Sequence, residues 1–144
     1  FKTADQLMIA IVGHIASAYQ THFDLLEDQH TAPSLTRIIA FILDDEAGQD
    51  ITSDRLWPQL WAMQLVEPLV AELVERIYAE YLSKIEQALV AADADDPTAE
   101  AICLMSMLEG ATIFVGVGRR WHQDGAKVAA EIFNYVRIRY GADA

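Results

Sequence analysis

Positive charge is scarce in this chain. Its 144 residues hold 10 lysines and arginines against 22 aspartates and glutamates, a formal net charge of −12. A surface of that sign repels phosphate backbones, so residues 1–144 alone make a poor nucleic-acid ligand. Cysteine is nearly missing: Cys103 stands alone, no disulfide can form within the chain, and a cytoplasmic setting is the simpler reading. No basic segment followed by an apolar one opens the sequence, so no signal peptide is evident. No stretch alternates with period two long enough to suggest a sheet, and no internal repeat stands out. Gly-x-Ser-x-Gly, Walker A, Gly-x-Gly-x-x-Gly and His-Glu-x-x-His motifs are also absent.

What is present is apolar periodicity. Hydrophobic residues make up 53% of the chain and charged residues 22%, the balance of a folded protein, and the length suits one domain with its own core. Proline, glycine and acidic clusters divide it into helical blocks. The first spans about Thr3 to Asp28, with Thr3 or Asp5 as cap. After the break HTAPS, with Pro33 suited to a first helical turn, Leu35 to Leu43 form a shorter amphipathic helix that stops in DDEAGQD. Thr52 or Ser53 opens a third block carrying Trp57 and Trp61 one turn apart, and Glu67-Pro68 breaks or kinks it. A long helix then runs to about Ala92, with a seam of Leu69, Leu73, Ile77, Tyr81, Ile85 and Leu89. Its polar face offers Glu72–Arg76 and Glu80–Lys84 at i,i+4. Pro97 or Thr98 begins a fifth helix ending near Trp121, and a last one spans about Ala126 to Tyr140. The expected fold is all-α, one domain over residues 1–144 with about six helices.

The fifth block contains ICLMSMLEGATIFVGVG, residues 102–118, seventeen residues with Glu109 as the single charge. A membrane span needs roughly 20 mostly apolar residues, and a central carboxylate costs about 2.5 kcal/mol or more in lipid. Basic residues flank the run at one end only, Arg119 and Arg120. The expectation is therefore a buried helix rather than a span. A domain this small can rarely surround one helix on every side, so part of its surface is expected to meet another subunit.

The order of these blocks resembles the ligand-binding and dimerisation domain of a TetR-type transcriptional regulator. The opening FKTADQL is similar to the family's link between DNA-binding head and first core helix: Phe1, Thr3, Asp5 and Leu7 fit, while Ala4 stands where lysine is usual. LWPQLWAMQLVEPLVAELVERIYAEYLSKIEQAL resembles the family's aromatic-led helix and the long helix after it. LMSMLEGATIF resembles the opening of its dimer helix. The resemblance implies that an N-terminal helix-turn-helix head is missing, that operator DNA is met only through that head, and that a small-molecule effector controls it. It also implies a homodimer in which residues 99–118 and 126–140 of two subunits form a four-helix bundle. Neither a cofactor nor an enzymatic activity is implied.

Within that frame Phe41, Trp57, Trp61, Tyr78, Met105 and Phe114 are candidates for lining an effector pocket between helices; plain core packing is the alternative for each. His22 is either a polar anchor for ligand or a hydrogen-bonded core histidine. Glu109 either points into the cavity, or faces a rim or an arginine at the dimer. Leu108, Ala111, Val115 and Gly118 are expected on one dimer-facing stripe, joined by Ile132, Val136 and Tyr140 from the last helix. Gly110, Gly116 and Gly118 would allow close helix approach. Metal binding is not expected, because His14, His22 and His30 step by eight residues, about 80° of helical rotation, and do not converge. Two rival classes remain. A protein-binding adaptor needs no cavity. A helical-bundle enzyme would use Glu-x-x-His pairs, of which Glu27 to His30 is a single copy.

Overall fold

The computed structural model describes residues 2–27, 32–43 and 56–144, and every regular element among them is helical apart from turns. Six α-helices follow one another: α1 Ala4–Glu27, α2 Leu35–Leu43, α3 Leu56–Met63, α4 Pro68–Ala91, α5 Pro97–Val115 and α6 Gly125–Tyr140, with a single 3-10 turn at His122–Asp124 before α6. The all-α expectation holds. Thr52, Ser53, the acidic segment 44–50 and His30 lie outside the described residues.

Local chemistry explains where each helix begins. Thr3 Oγ1 accepts from the Gln6 amide at 3.1 Å, and the Gln6 side chain accepts in turn from the Lys2 amide at 2.9 Å. That exchange supplies acceptors for amides which the first turn of α1 leaves without helical partners. At α2 the cap is Ser34, whose hydroxyl accepts from Arg37 N at 3.2 Å, so Pro33 precedes the helix instead of starting it. Glu67-Pro68 is a full break: the Glu67 carboxylate caps α4 at Leu69 N, 3.3 Å, and Pro68 occupies the first turn where its missing N–H costs nothing. Asp96 and Pro97 repeat the device on α5, with Asp96 Oδ1 accepting from Ala99 N at 3.1 Å.

The C-terminal end of α5 departs from expectation. The helix stops at Val115, six residues before Trp121, because Gly116 turns extended and Gly118 takes φ +81°, a left-handed value that favours glycine. Gly118 therefore lies beyond α5 and cannot share its stripe with Ala111 and Val115. At the far end α6 stops where Gly141, φ +95°, returns its N–H to the Arg137 carbonyl at 3.0 Å.

Helix α4 is the centre of the domain and packs against α1, α2, α3 and α5. Leu73, Ile77, Tyr81, Ile85 and Leu89 of its seam are buried, together with Val70 and Val74, while Leu69 is exposed. Each such side chain contributes roughly 1.5–3 kcal/mol on burial. The expected Glu80–Lys84 pair is replaced by a longer reach: Lys84 is 8% exposed and pairs with Glu27 at the end of α1, its ammonium 5.7 Å from the Phe23 ring centre. This pair and the Phe23–Tyr81 contact climb α1 and α4 together, so the two helices run parallel. Helices α4 and α5 form an antiparallel hairpin, fastened by Thr98 Oγ1 donating to Glu86 at 3.0 Å. Helices α5 and α6 are fastened by Tyr140, whose hydroxyl donates to Glu100 at 2.5 Å.

Helix α5 has the length and apolarity of a membrane span. Here Ala101, Leu104, Met105, Leu108 and Ala111 are buried inside the subunit, while Ile102, Ile113 and Phe114 on other sides are exposed.

Candidate functional site

An aromatic cluster occupies the junction of α1, α3 and α4, and α5 closes it with one carboxylate. The two tryptophans of α3 sit with ring centres 6.3 Å apart, as their i,i+4 spacing dictates. Trp57 lies 5.2 Å from Tyr78 of α4 and 5.6 Å from Tyr19 of α1. Tyr81, one face-turn along α4, packs edge-on against Phe23 at 4.8 Å and against Tyr19 at 6.5 Å. His22 meets Tyr19 at 6.0 Å and stacks on Phe41 of α2 at 4.0 Å.

A polar relay threads the cluster. The Trp61 indole Nε1 donates to Tyr78 Oη at 2.7 Å, and that hydroxyl donates to Glu109 Oε2 at 2.8 Å. Three helices are thereby linked through one phenol, which uses its donor and an acceptor position at once. Burial and then the Glu109 charge hold the Tyr78 and Tyr81 phenols well above their usual range, so both stay protonated. Tyr19 is raised likewise, by burial first and then by Tyr81 and Glu109. Burial pushes His22 down, which leaves it a neutral imidazole at pH 7. Together these groups form a mostly apolar wall with a few placed polar atoms, the composition of small-molecule sites.

His22, Phe41, Trp57, Trp61, Tyr78 and Glu109 are thus brought into one connected cluster. Met105 is buried on α5 one turn before Glu109. Phe114 is not part of it: the ring is 55% exposed and packs on Trp121 at 6.0 Å. Tyr19 and Phe23 of α1 and Tyr81 of the α4 seam also belong to the cluster. The signal for the first two in the sequence is aromaticity at i,i+4 on α1. Among the described residues no group of three or more His, Cys, Asp or Glu side chains is placed to hold a metal ion.

The residues expected at the dimer divide. Leu108, Ala111, Ile132 and Val136 are buried in the subunit's own core, and Val115 and Tyr140 are half-buried. The outward apolar surface of the last two helices is carried instead by Ile102, Ile113, Phe114, Tyr135 and Ile138. Gly110 lies on the same side of α5 as Ile102 and Ile113, and a methyl group added there would meet nothing within 4 Å.

The sequence model of the BetI-type transcriptional repressor C-terminal domain matches residues 32–133. The chain belongs to that family. The matched span runs from the approach to α2 into α6 and so includes the aromatic α3–α4 pair and the apolar α5. No curated protein and no solved structure matches the chain. Membership makes this the C-terminal domain of a TetR-type regulator, the effector-binding and dimerisation part of such a protein, in a family that is regulatory rather than enzymatic.

Proposed function

We propose that the aromatic cluster is the effector site and that it takes a small hydrophobic or amphipathic molecule. The relay Trp61–Tyr78–Glu109 carries this reading, because it sets polar atoms from α3, α4 and α5 inside an apolar surround. A ligand that prefers one arrangement of these helices also biases α1, which contributes Tyr19 and His22 to the same cluster. In a TetR-type regulator that helix leads to the DNA-binding head, and two heads must fit major grooves about 34–36 Å apart. A modest tilt of α1 then changes operator binding, provided the ligand has different affinity for the two arrangements.

The homodimer belongs to the same proposal, with its interface moved outward to Ile102, Ile113 and Phe114 of α5 and to Tyr135 and Ile138 of α6. These residues are 40–71% exposed on the long apolar helix α5 and its neighbour α6, and Gly110 at the middle of the face permits close helix crossing. Operation in the cytoplasm, without a membrane, cofactor or catalytic step, completes the reading. Trp61→Ala tests it: effector affinity should fall at least tenfold while sedimentation still reports a dimer. Unchanged affinity in a folded variant counts against the site, and a wild-type chain that responds to no small molecule favours the adaptor class.

A further inference from the structure

Tyr19 is the odd member of the cluster. It is 1% exposed, and its hydroxyl has no hydrogen-bond partner among the described residues. His22, Phe23, Trp57 and Tyr81 surround the ring at 5.6–6.5 Å. Trp57 is close enough to favour the ionised hydroxyl slightly, yet it completes no hydrogen bond. After burial, the Tyr81 phenol and then the Glu109 charge oppose ionisation of the hydroxyl, and the ring itself packs on Trp57 and Tyr81 of the same cluster. A phenylalanine would fill the same space without stranding a polar group, and buried hydroxyls in native proteins are normally paired. An unpaired one costs the folded state about tenfold in its equilibrium.

We propose that the Tyr19 hydroxyl is the effector's hydrogen-bond contact on α1, donating to a neutral acceptor such as a carbonyl or ether oxygen on a flat aromatic molecule. This rests on the cluster being the effector site. Three observations define the ligand class. The phenol is held protonated and its O–H meets no acceptor among the described residues, so an acceptor on the ligand would satisfy it. The Glu109 carboxylate nearby disfavours an anionic acceptor. The surrounding rings supply offset and edge contacts suited to an aromatic plane. A solvent-open groove of about 290 Å³ between α1 and α4 is rimmed by Ser17, Gln20, Arg76 and Glu80, with buried Tyr19 and Phe23 along its inner wall. Widening it separates α1 from α4, so occupancy of Tyr19 and displacement of α1 are one event.

The test uses the whole chain, Tyr19→Phe, and two probes of nearly one shape, 2-acetonaphthone and 2-ethylnaphthalene, titrated by calorimetry. The unliganded variant should melt a few degrees above wild type, since an unpaired hydroxyl has been removed. The ketone should bind the variant at least fivefold more weakly than wild type, the hydrocarbon within twofold. A lower melting temperature overturns the proposal, because the hydroxyl then has a partner worth keeping. Equal loss for both probes overturns it too, and so does no loss for either; in the latter case the cluster still binds and only Tyr19 is acquitted. Failure of both probes to bind wild type removes the effector site together with this inference.

Discussion

Replacing Tyr78 by phenylalanine isolates the relay, because the ring stays and only one oxygen leaves. That oxygen accepts from Trp61 at 2.7 Å and donates to Glu109 at 2.8 Å. A neutral hydrogen bond contributes about 0.5–1.5 kcal/mol net and one to a charged group about 1.5–3. Both neighbours are half-buried, so water replaces part of what is lost. The expected cost is about 2–3 kcal/mol. For a domain of this size each kcal/mol moves the midpoint by roughly 3–5 °C, which gives a fall of roughly 6–15 °C. The assay is thermal unfolding at one fixed protein concentration, since a dimer's midpoint depends on it. Trp61→Phe removes only the neutral bond and should cost less, and the double variant should show a coupling of about 0.5–1.5 kcal/mol. A Tyr78→Phe shift below about 2 °C would refute the relay as a structural element of the site.

Ile113→Arg should convert the dimer to monomer or aggregate in sedimentation, since an arginine buried unpaired in an interface costs several kcal/mol; a variant that stays dimeric puts the interface elsewhere. Gly110→Ala should stabilise an isolated subunit by roughly 0.5–1 kcal/mol, because the added methyl meets nothing there, while weakening self-association; tighter association argues against a close crossing at Gly110. Glu100 is held below the usual carboxylate range by the Tyr140 hydroxyl first, then by the Asp96 amide and Arg139. A depressed folded value gives stability that is complete above the unfolded value, about 4.3, and is lost as pH falls through the folded one. Acid unfolding should accordingly be less steep below about pH 4 in Tyr140→Phe than in wild type. Residues 1–144 should bind no duplex DNA specifically at a net charge of −12, and nanomolar operator binding in a gel-shift titration contradicts that.

Helix positions were legible because their signals are local. Thr3, Glu67-Pro68 and Pro97 act within one turn of themselves, so reading them needs no tertiary knowledge. The end of α5 was misjudged because hydrophobicity continues through Val117, while the backbone obeys Gly116 and Gly118. Which face of α5 points inward was not legible at all. An all-round apolar helix has no preferred side, so Leu108 and Ala111 looked as outward as Ile102 and Ile113. The partnership of Lys84 with Glu27 across 57 positions had a competing local partner in Glu80, and only packing decides between them. The site was half readable: Trp57, Trp61, Tyr78 and Glu109 were named, but their convergence depends on helix crossings, and Tyr19 gave no sign that its hydroxyl would lack a partner.

The central claim is that the Trp57–Trp61 cluster binds an effector, and tryptophan emission tests it most directly. Trp121 lies apart from the cluster, half exposed against Phe114, so Trp121→Phe leaves both of the chain's remaining tryptophans in the site. Titrating that variant with a graded series of neutral aryl ketones and longer-chain amphiphiles should give saturable quenching, one ligand per subunit, for some of the series. The same compounds should raise the melting point, by an amount worth about 2.7 kcal/mol at a hundredfold excess over Kd. A folded dimer whose emission and melting point answer to none of the series would contradict the account.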